Sequence, residues 1–313
     1  MELEKLNKEI INLKNEKNAV ILAHNYQLPE IQDIADFVGD SLGLSQMAAK
    51  TPAEIIIFCG VHFMAETASI ISPDKKVLIP DLEAGCSLAS SIDVDQLREW
   101  KRKNPGSVVV SYVNTTAEVK AESDYCCTSS NAVKVLNAIP VDKKILFLPD
   151  KFLGNYAKML TGRDIEIWDG ACHVHEKIGE LSLDDAKLVY PNAEILIHPE
   201  CGCSTSCLLK SLQYKDSEKI NIFSTEGMIN YAKESPAEEF LIATEVGILH
   251  RMKKDNPSKS FYPASEESVC EYMKMITLDK LYNSLLNDEF EVKVPEQLAE
   301  KARLPIERMI AIY

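Results

Sequence analysis

Apolar runs recur along the chain in a fixed order. Three of them open in the same way: AVILAHNYQ from Ala19 to Gln27, SVVVSYVNT from Ser107 to Thr115, and AEILIHPEC from Ala193 to Cys201. Each is rich in β-branched residues and turns polar at its end, as a buried parallel strand does when it runs into its C-terminal loop. Each is followed by a helix start (DSLGLSQMAAK, TSSNAVKVLNA, STEGMINYAKE) and then by a second strand (AEIIIFCG, KKILFLPD, EEFLIATE). A third strand-like run closes each group: KVLIPDLEAGC, DIEIWDGAC and, more weakly, KSFYPASEESVC.

The spacing of these markers is nearly constant. Tyr112 follows His24 by 88 residues, and His198 follows Tyr112 by 86. Ser129 follows Ser41 by 88, and Cys172 follows Cys86 by 86. Within a group, Cys86, Cys172 and Cys270 lie 45, 43 and 45 residues beyond Ser41, Ser129 and Thr225. One interval departs: His198 to Thr225 is 27 residues, where His24 to Ser41 and Tyr112 to Ser129 are 17. The ten extra residues fall on CGCSTSC.

Alternating strands and helices predict parallel sheets with crossover helices. The expected fold is therefore α/β, as three similar units with small parallel sheets in a pseudo-threefold arrangement around a central site. The expected boundaries are 1–105, joined by the C-terminal segment 290–313, then 106–190, then 191–289 with an inserted Cys-rich loop. A single doubly wound sheet with accidental spacing is the plainer reading, but three independent marker sets share one period.

Composition narrows the function. Hydrophobic residues make up 46% and charged residues 26% of the 313, as in an ordinary globular chain. The longest apolar run, IIIFCGVHFMA, is too short to span a bilayer. The N-terminal MELEKLNKEIINLKNEK carries both charges and reads neither as a signal nor as a transit peptide, so a cytoplasmic address is expected. A net charge of −14 disfavours nucleic acid and anionic membranes as partners. Nine cysteines, an odd number, point to reduced thiols, metal ligands or redox chemistry rather than a disulfide framework.

In open α/β sheets ligands bind at the carboxyl ends of strands. Threefold symmetry would turn those ends toward one cavity and bring it one cysteine per unit: Cys86, Cys172 and Cys270. A lone cysteine is usually a small buried apolar residue, which is the expectation for Cys59. Packing gives no reason for one thiol at each equivalent position. Three thiolates can hold zinc or an iron–sulfur cluster. Structural zinc prefers four ligands at close spacing, which these cysteines lack. A cluster accepts distant ligands and, with three cysteines, keeps one iron open. His173 and His175 beside Cys172 keep zinc in contention. Ser41, Ser129 and Thr225 stand at helix starts, where they serve as N-caps or with free amides bind anions. His24, Tyr26, Tyr112, Asn114, His198 and Glu200 supply neutral donors and acid/base candidates.

The stretches AHNYQLPEIQDIADFVGDS, PDLEAGCSLA, VVSYVNTTAEVKAESDYCCTSSNA, DGACHVHE, HPEC and FSTEGM together resemble the quinolinate synthase family over essentially the whole chain. The resemblance implies a [4Fe–4S] cluster on Cys86, Cys172 and Cys270. It implies a transferase that condenses iminosuccinate with dihydroxyacetone phosphate to quinolinate, releasing phosphate and water, in NAD biosynthesis. Substrate-binding positions map onto His24, Ser41, Tyr112, Asn114, Ser129, His198, Glu200 and Thr225, and catalysis onto Tyr26 with His198 and Glu200. An L-aspartate-oxidising enzyme would then supply the unstable imine. The other reading of the residues is a zinc- or thiol-based redox sensor working through CGCSTSC and Cys126–Cys127. The expectation for Cys201, Cys203 and Cys207 is a loop at the cavity mouth, outside the cluster site.

Overall fold

The structure, a computed structural model, describes residues 3–213 and 220–312. Among the described residues, twelve strands form three four-stranded sheets in which every strand pairing is parallel. The first contains β1 (Ala19–His24), β2 (Phe37–Gly39), β3 (Ile55–Cys59) and β4 (Lys76–Leu78) in the order β2-β1-β3-β4. The second contains β5 (Val108–Tyr112), β6 (Tyr125–Cys127), β7 (Ile145–Leu148) and β8 (Glu166–Ile167) in the order β6-β5-β7-β8. The third contains β9 (Glu194–Ile197), β10 (Ile220–Ile222), β11 (Glu239–Ala243) and β12 (Ser260–Pro263) in the order β10-β9-β11-β12. The strand order repeats with the sequence period, as expected for three similar α/β units.

The short second strand of each sheet is the element that the apolar pattern does not reveal. Three residues are too few to establish a period. The first two are instead pinned by an aspartate just ahead of them. Asp36 donates its amide to Ile21 O at 2.9 Å and accepts from Ile21 N at 2.8 Å. Asp124 does the same with Val109, at 3.0 and 2.8 Å. These aspartates are 88 residues apart, so the pin belongs to the repeat.

Burial deepens along the strands. β3, β5 and β11 begin half-buried and end buried, and the last four residues of β1 are buried. Their carboxyl ends therefore point toward the middle of the molecule. The C-terminal segment closes the first two units together. Phe290 O and Val292 N bond Ile79 N and Val77 O beside β4, at 3.1 and 2.8 Å. The helix Glu296–Ala311 then packs on the helix His62–Ile71 of the first unit and on Ala117–Ala121 and β6 of the second. Asn131 Nδ2 bonds the carbonyls of Met309 and Ile312 at 2.9 and 2.6 Å, which ties off its end. Among the described residues no helix is long and apolar enough to cross a membrane.

The helix starts differ from the sequence expectation in one respect. Asp40, not Ser41, caps the helix Ser41–Lys50 by accepting from Gly43 N at 2.8 Å. Ser224, not Thr225, caps Thr225–Glu234 by accepting from Gly227 N at 3.3 Å. Ser129 lies in the turn before Asn131, the N-cap of Ala132–Ala138. Capping is thus assigned to neighbours, and the three hydroxyls are left for other partners. Asp40→Ala should lower stability by about 1–2 kcal/mol, the more so because Asp40 also accepts from Ser130 of the second unit at 2.6 Å. Ser41→Ala should stay within about 0.5 kcal/mol of the parent in urea unfolding; equal losses in both variants would contradict this assignment.

Candidate active site

All of the residues singled out by the repeat line one cavity between the three sheets, with about 700 Å³ of space when its mouth is included. β1, β5 and β9 deliver His24 and Tyr26, Tyr112 and Asn114, and His198 and Glu200. The helix starts deliver Ser41, Ser129 and Thr225. The loops after β4, β8 and β12 deliver Cys86, Cys172 and Cys270, each half-buried. Parallel topology explains the convergence, because the loops that leave carboxyl strand ends all lie on the same side of their sheet.

A hydrogen-bonded network joins the units across the cavity. Tyr112 Oη donates to Glu200 Oε1. His198 Nε2 meets Ser129 Oγ at 3.2 Å, and Asn25 Nδ2 donates to Thr225 Oγ1 at 3.0 Å. Tyr26 Oη bonds Thr244 Oγ1 at 2.6 Å and lies 3.3 Å from His175 Nε2, which itself bonds Thr244 at 3.0 Å. The His175 and His198 Nδ1 atoms stand 3.7 Å from the Glu200 oxygens, beyond hydrogen-bond reach. Those two nitrogens and Asn114 Oδ1 are buried without a partner among the described residues. Buried polar atoms of this kind are costly unless a ligand satisfies them.

Burial dominates the electrostatics. It pushes the Glu200 carboxyl up to about 7, against the lowering effect of the Tyr112 hydrogen bond. His24 is pulled down to about 3 by burial, then by Lys274 and His175. His175 falls to about 3 through burial and His173, and His198 falls well below its usual value for the same first reason. Burial, then the charge of Glu200, raises both tyrosines. Burial also raises the thiols, Cys86 to about 12 and Cys270 to about 11, with Cys172 raised as well. The histidines are therefore neutral donors or acceptors at neutral pH, and Glu200 is poised to exchange a proton.

Sequence reasoning missed Thr244, Glu245 and Lys274. Glu245 is fully buried and lines the cavity. It accepts from Cys270 N at 3.2 Å and Gly247 N at 2.7 Å, and it pairs with Lys274 Nζ at 2.9 Å. Lys274 also donates to the Tyr26 carbonyl. The pair of buried Glu245 with half-buried Lys274 thus fixes a cysteine loop of the third unit and the Tyr26 backbone of the first. Gly247 is required there: a Cβ would come within 2.8 Å of both Glu245 Oε2 and the Tyr26 carbonyl carbon. The legible signal was positional, since Glu245 and the equally buried Asp150 stand three residues beyond Ile242 and Phe147, which occupy matching register positions.

The Cys-rich segment departs from expectation. Cys201, Cys203 and Cys207 do not lie at the cavity mouth. They are buried in a separate apolar cluster with Ile178, Leu183, Ile195, Ile197 and Leu241, and the chain is helical from Ser204. The insertion fills a satellite core, where thiols serve as small apolar side chains. Cys126 and Cys127 are likewise buried, within β6, and Cys59 in β3.

Two donor sets could hold metal. Cys172, His175 and Glu200 place one ligand atom each within 4.8 Å of one another, the one such group among the described residues. Thiolates sharing one tetrahedral ion at ~2.3 Å stand ~3.8 Å apart, and Cys86 and Cys270 are outside that group. The three thiols are therefore set wider than one ion needs. A multi-iron cluster takes each thiolate on a different iron and does not need all three within one ion's reach.

The histidines predict an acid limb in stability. The folded state protonates His24 near 3, the unfolded state near 6.5, so the unfolded chain binds more protons between these values and stability falls as pH falls. His24→Gln should make the loss between pH 7 and 5 shallower by about 2 kcal/mol, read by urea unfolding of metal-free protein. Parallel stability curves for variant and parent would contradict a neutral His24.

Comparison with known proteins supplies the family. The family model described as Quinolinate synthetase A protein matches residues 8–311. A quinolinate synthase of Pyrobaculum aerophilum is 59% identical over 304 residues, 97% of this chain and 98% of that one. One from Thermus thermophilus is 54% identical over 309 residues, covering 99% and 98%. One from Mycobacterium tuberculosis is 51% identical over 306 residues, covering 97% and 88%. With three repeat-related units around one cavity and this similarity along its length, the chain belongs to the quinolinate synthase family of enzymes.

Proposed function

We propose that the enzyme condenses iminosuccinate with dihydroxyacetone phosphate to quinolinate, with release of phosphate and water, around a [4Fe–4S] cluster held by Cys86, Cys172 and Cys270. The observation that carries this reading is the convergence of three equivalent half-buried thiols and three equivalent polar strand ends on one cavity. When bound, the cluster supplies a Lewis-acidic iron with an open position that polarises oxygen and eases its loss as water. The condensation needs no net electron transfer.

The residues divide the remaining work. Ser41, Ser129 and Thr225 have hydroxyls not spent on capping and take the two carboxylates and the phosphate through neutral donors. This lets a chain of net charge −14 hold an anionic substrate. His24, Tyr112, Asn114 and His198 orient it. Glu200, with its carboxyl near 7, gives and takes protons at neutral pH, and Tyr26 and His198 complete the relay. The unstable imine comes from an L-aspartate-oxidising enzyme in the same cytoplasmic compartment.

The Cys172, His175 and Glu200 grouping favours a second reading, a single zinc ion at that site. Anaerobic reconstitution separates the two. Under the cluster reading the wild type is brown, with broad absorbance near ~400 nm, and Cys270→Ser loses iron, colour and quinolinate formation. A colourless protein that keeps its metal in Cys270→Ser and loses it in His175→Asn would establish the single ion instead.

The hydroxyl assignment has its own test. Ser41→Ala, Ser129→Ala and Thr225→Ala should each raise KM for a substrate by about tenfold, the equivalent of one hydrogen bond to a charged group, while Tm moves little in Ser41→Ala, whose hydroxyl has no bond to lose among those described. Unchanged KM values in all three would remove these residues from substrate binding.

A further inference from the structure

The residue after each cavity cysteine is Ser87, His173 or Glu271, one from each unit. Their side chains are linked in series. Ser87 Oγ lies 2.6 Å from His173 Nδ1, and His173 Nε2 lies 2.9 Å from Glu271 Oε2. The partners are 86 and 98 residues apart in the chain, so each bond crosses between units. A neutral imidazole that donates Nε2–H to the carboxylate must accept at Nδ1, which makes the Ser87 hydroxyl the second donor. Both bonds are then satisfied by one tautomer. Tyr272 meets the His173 ring edge-on, with centroids 5.9 Å apart and planes at 89°, and limits its rotation.

The position of this chain of bonds matters. Glu271 and the His173 ring are partly open to water, with side chains 59% and 31% exposed, whereas Glu200, His175 and His198 are sealed within the cavity. Ser87 and His173 line the cavity while Glu271 does not, and the reaction proposed above assigns none of the three a part. Each loop leaves a different sheet, and a ligand held by three separate loops is released when any one of them swings away. Hydrogen bonds between the residues next to the ligands oppose that first step and keep a released thiol close enough to rebind.

We propose that Ser87, His173 and Glu271 form a clasp that holds the three cysteine loops closed on their common centre and slows the escape of iron from it. The inference rests on the cluster reading above. The three are positioning residues, which act through Cys86, Cys172 and Cys270.

The test uses the full-length chain in two states. Wild type, Ser87→Ala, His173→Ala, Glu271→Ala and Glu271→Gln are loaded with iron and sulfide without oxygen, then mixed with EDTA while the absorbance near ~400 nm is followed. In parallel, metal-free protein is treated with a mass-tagged alkylating reagent, and labelling of Cys86, Cys172 and Cys270 is timed against buried Cys59 and Cys126. Ser87→Ala and Glu271→Ala, which each lose one surface hydrogen bond, should lose iron and label the three thiols about fivefold faster than wild type, and His173→Ala, which loses both bonds, at least as fast as either. Cys59 and Cys126 should stay unreactive. Glu271→Gln, whose side-chain carbonyl still accepts from Nε2–H, should stay within about twofold of wild type. Wild-type rates in all the alanine variants overturn the clasp. So does a Glu271→Gln that behaves like Glu271→Ala, which would make the carboxylate charge the cause, or faster labelling of Cys59 and Cys126, which would mean general loosening. If neither wild type nor variants take up iron and the alanine variants still label the three thiols faster than wild type, the loop clasp stands and the cluster reading is overturned.

Discussion

A carboxyl group with almost no access to water sets the terms for this structure. Glu200 is 3% exposed, and the groups around it are two tyrosines and two histidines rather than cations. A buried carboxylate without a cation is strongly disfavoured, so the proton stays on to unusually high pH. The same burial strips the charge from the neighbouring histidines. The result is a cavity of neutral donors and acceptors around one proton-exchanging group, with three thiols in its lining. Several of its polar atoms lack partners among the described residues, and this unfinished hydrogen bonding marks the site as one built for an occupant.

Threefold repetition is how the chain supplies such a cavity. Each unit contributes a strand end, a helix start and a cysteine loop, so three copies of one supersecondary plan surround a single space. Function enters where the copies diverge. The equivalent position at the carboxyl end of β1, β5 and β9 is histidine, tyrosine and histidine in turn, and Glu200 has no acidic counterpart at Tyr26 or Asn114. Asp150 and Glu245 occupy matching places while the first unit has Val61. The ion pair of Glu245 with Lys274 and the links among Ser87, His173 and Glu271 then bind the units to one another. Buried ion pairs contribute little net stability, and the Glu245 pair is better understood as fixing geometry, because its partners include Cys270 N and the Tyr26 carbonyl.

What could be read from the chain followed from local rules. The runs at Ala19, Ser107 and Ala193 had to be buried strands, and their common period placed His24, Tyr112 and His198 at equivalent ends. The cysteine of each unit stood out for the same reason. β2, β6 and β10 escaped notice because three residues carry no periodicity, and their places depend on a pinning aspartate or on pairing with a distant strand. Asp40 and Ser224 took the capping roles from Ser41 and Thr225 because a cap is set by where the backbone turns, which composition leaves open by one residue. Thr244 and Lys274 were invisible because their importance arises from contacts more than two hundred residues away. The segment CGCSTSC misled only in its place: expected as a loop at the cavity mouth outside the cluster site, its thiols pack as apolar side chains in a separate core.

The central claim is that three equivalent thiols, and not the nearer grouping at Cys172, define what this cavity holds. Diffraction from crystals grown without oxygen, with anomalous data collected on both sides of the iron absorption edge, tests it most directly. Iron density should be bounded by the sulfurs of Cys86, Cys172 and Cys270. A single metal peak bounded by Cys172, His175 and Glu200, with Cys86 and Cys270 left as free thiols, would contradict it.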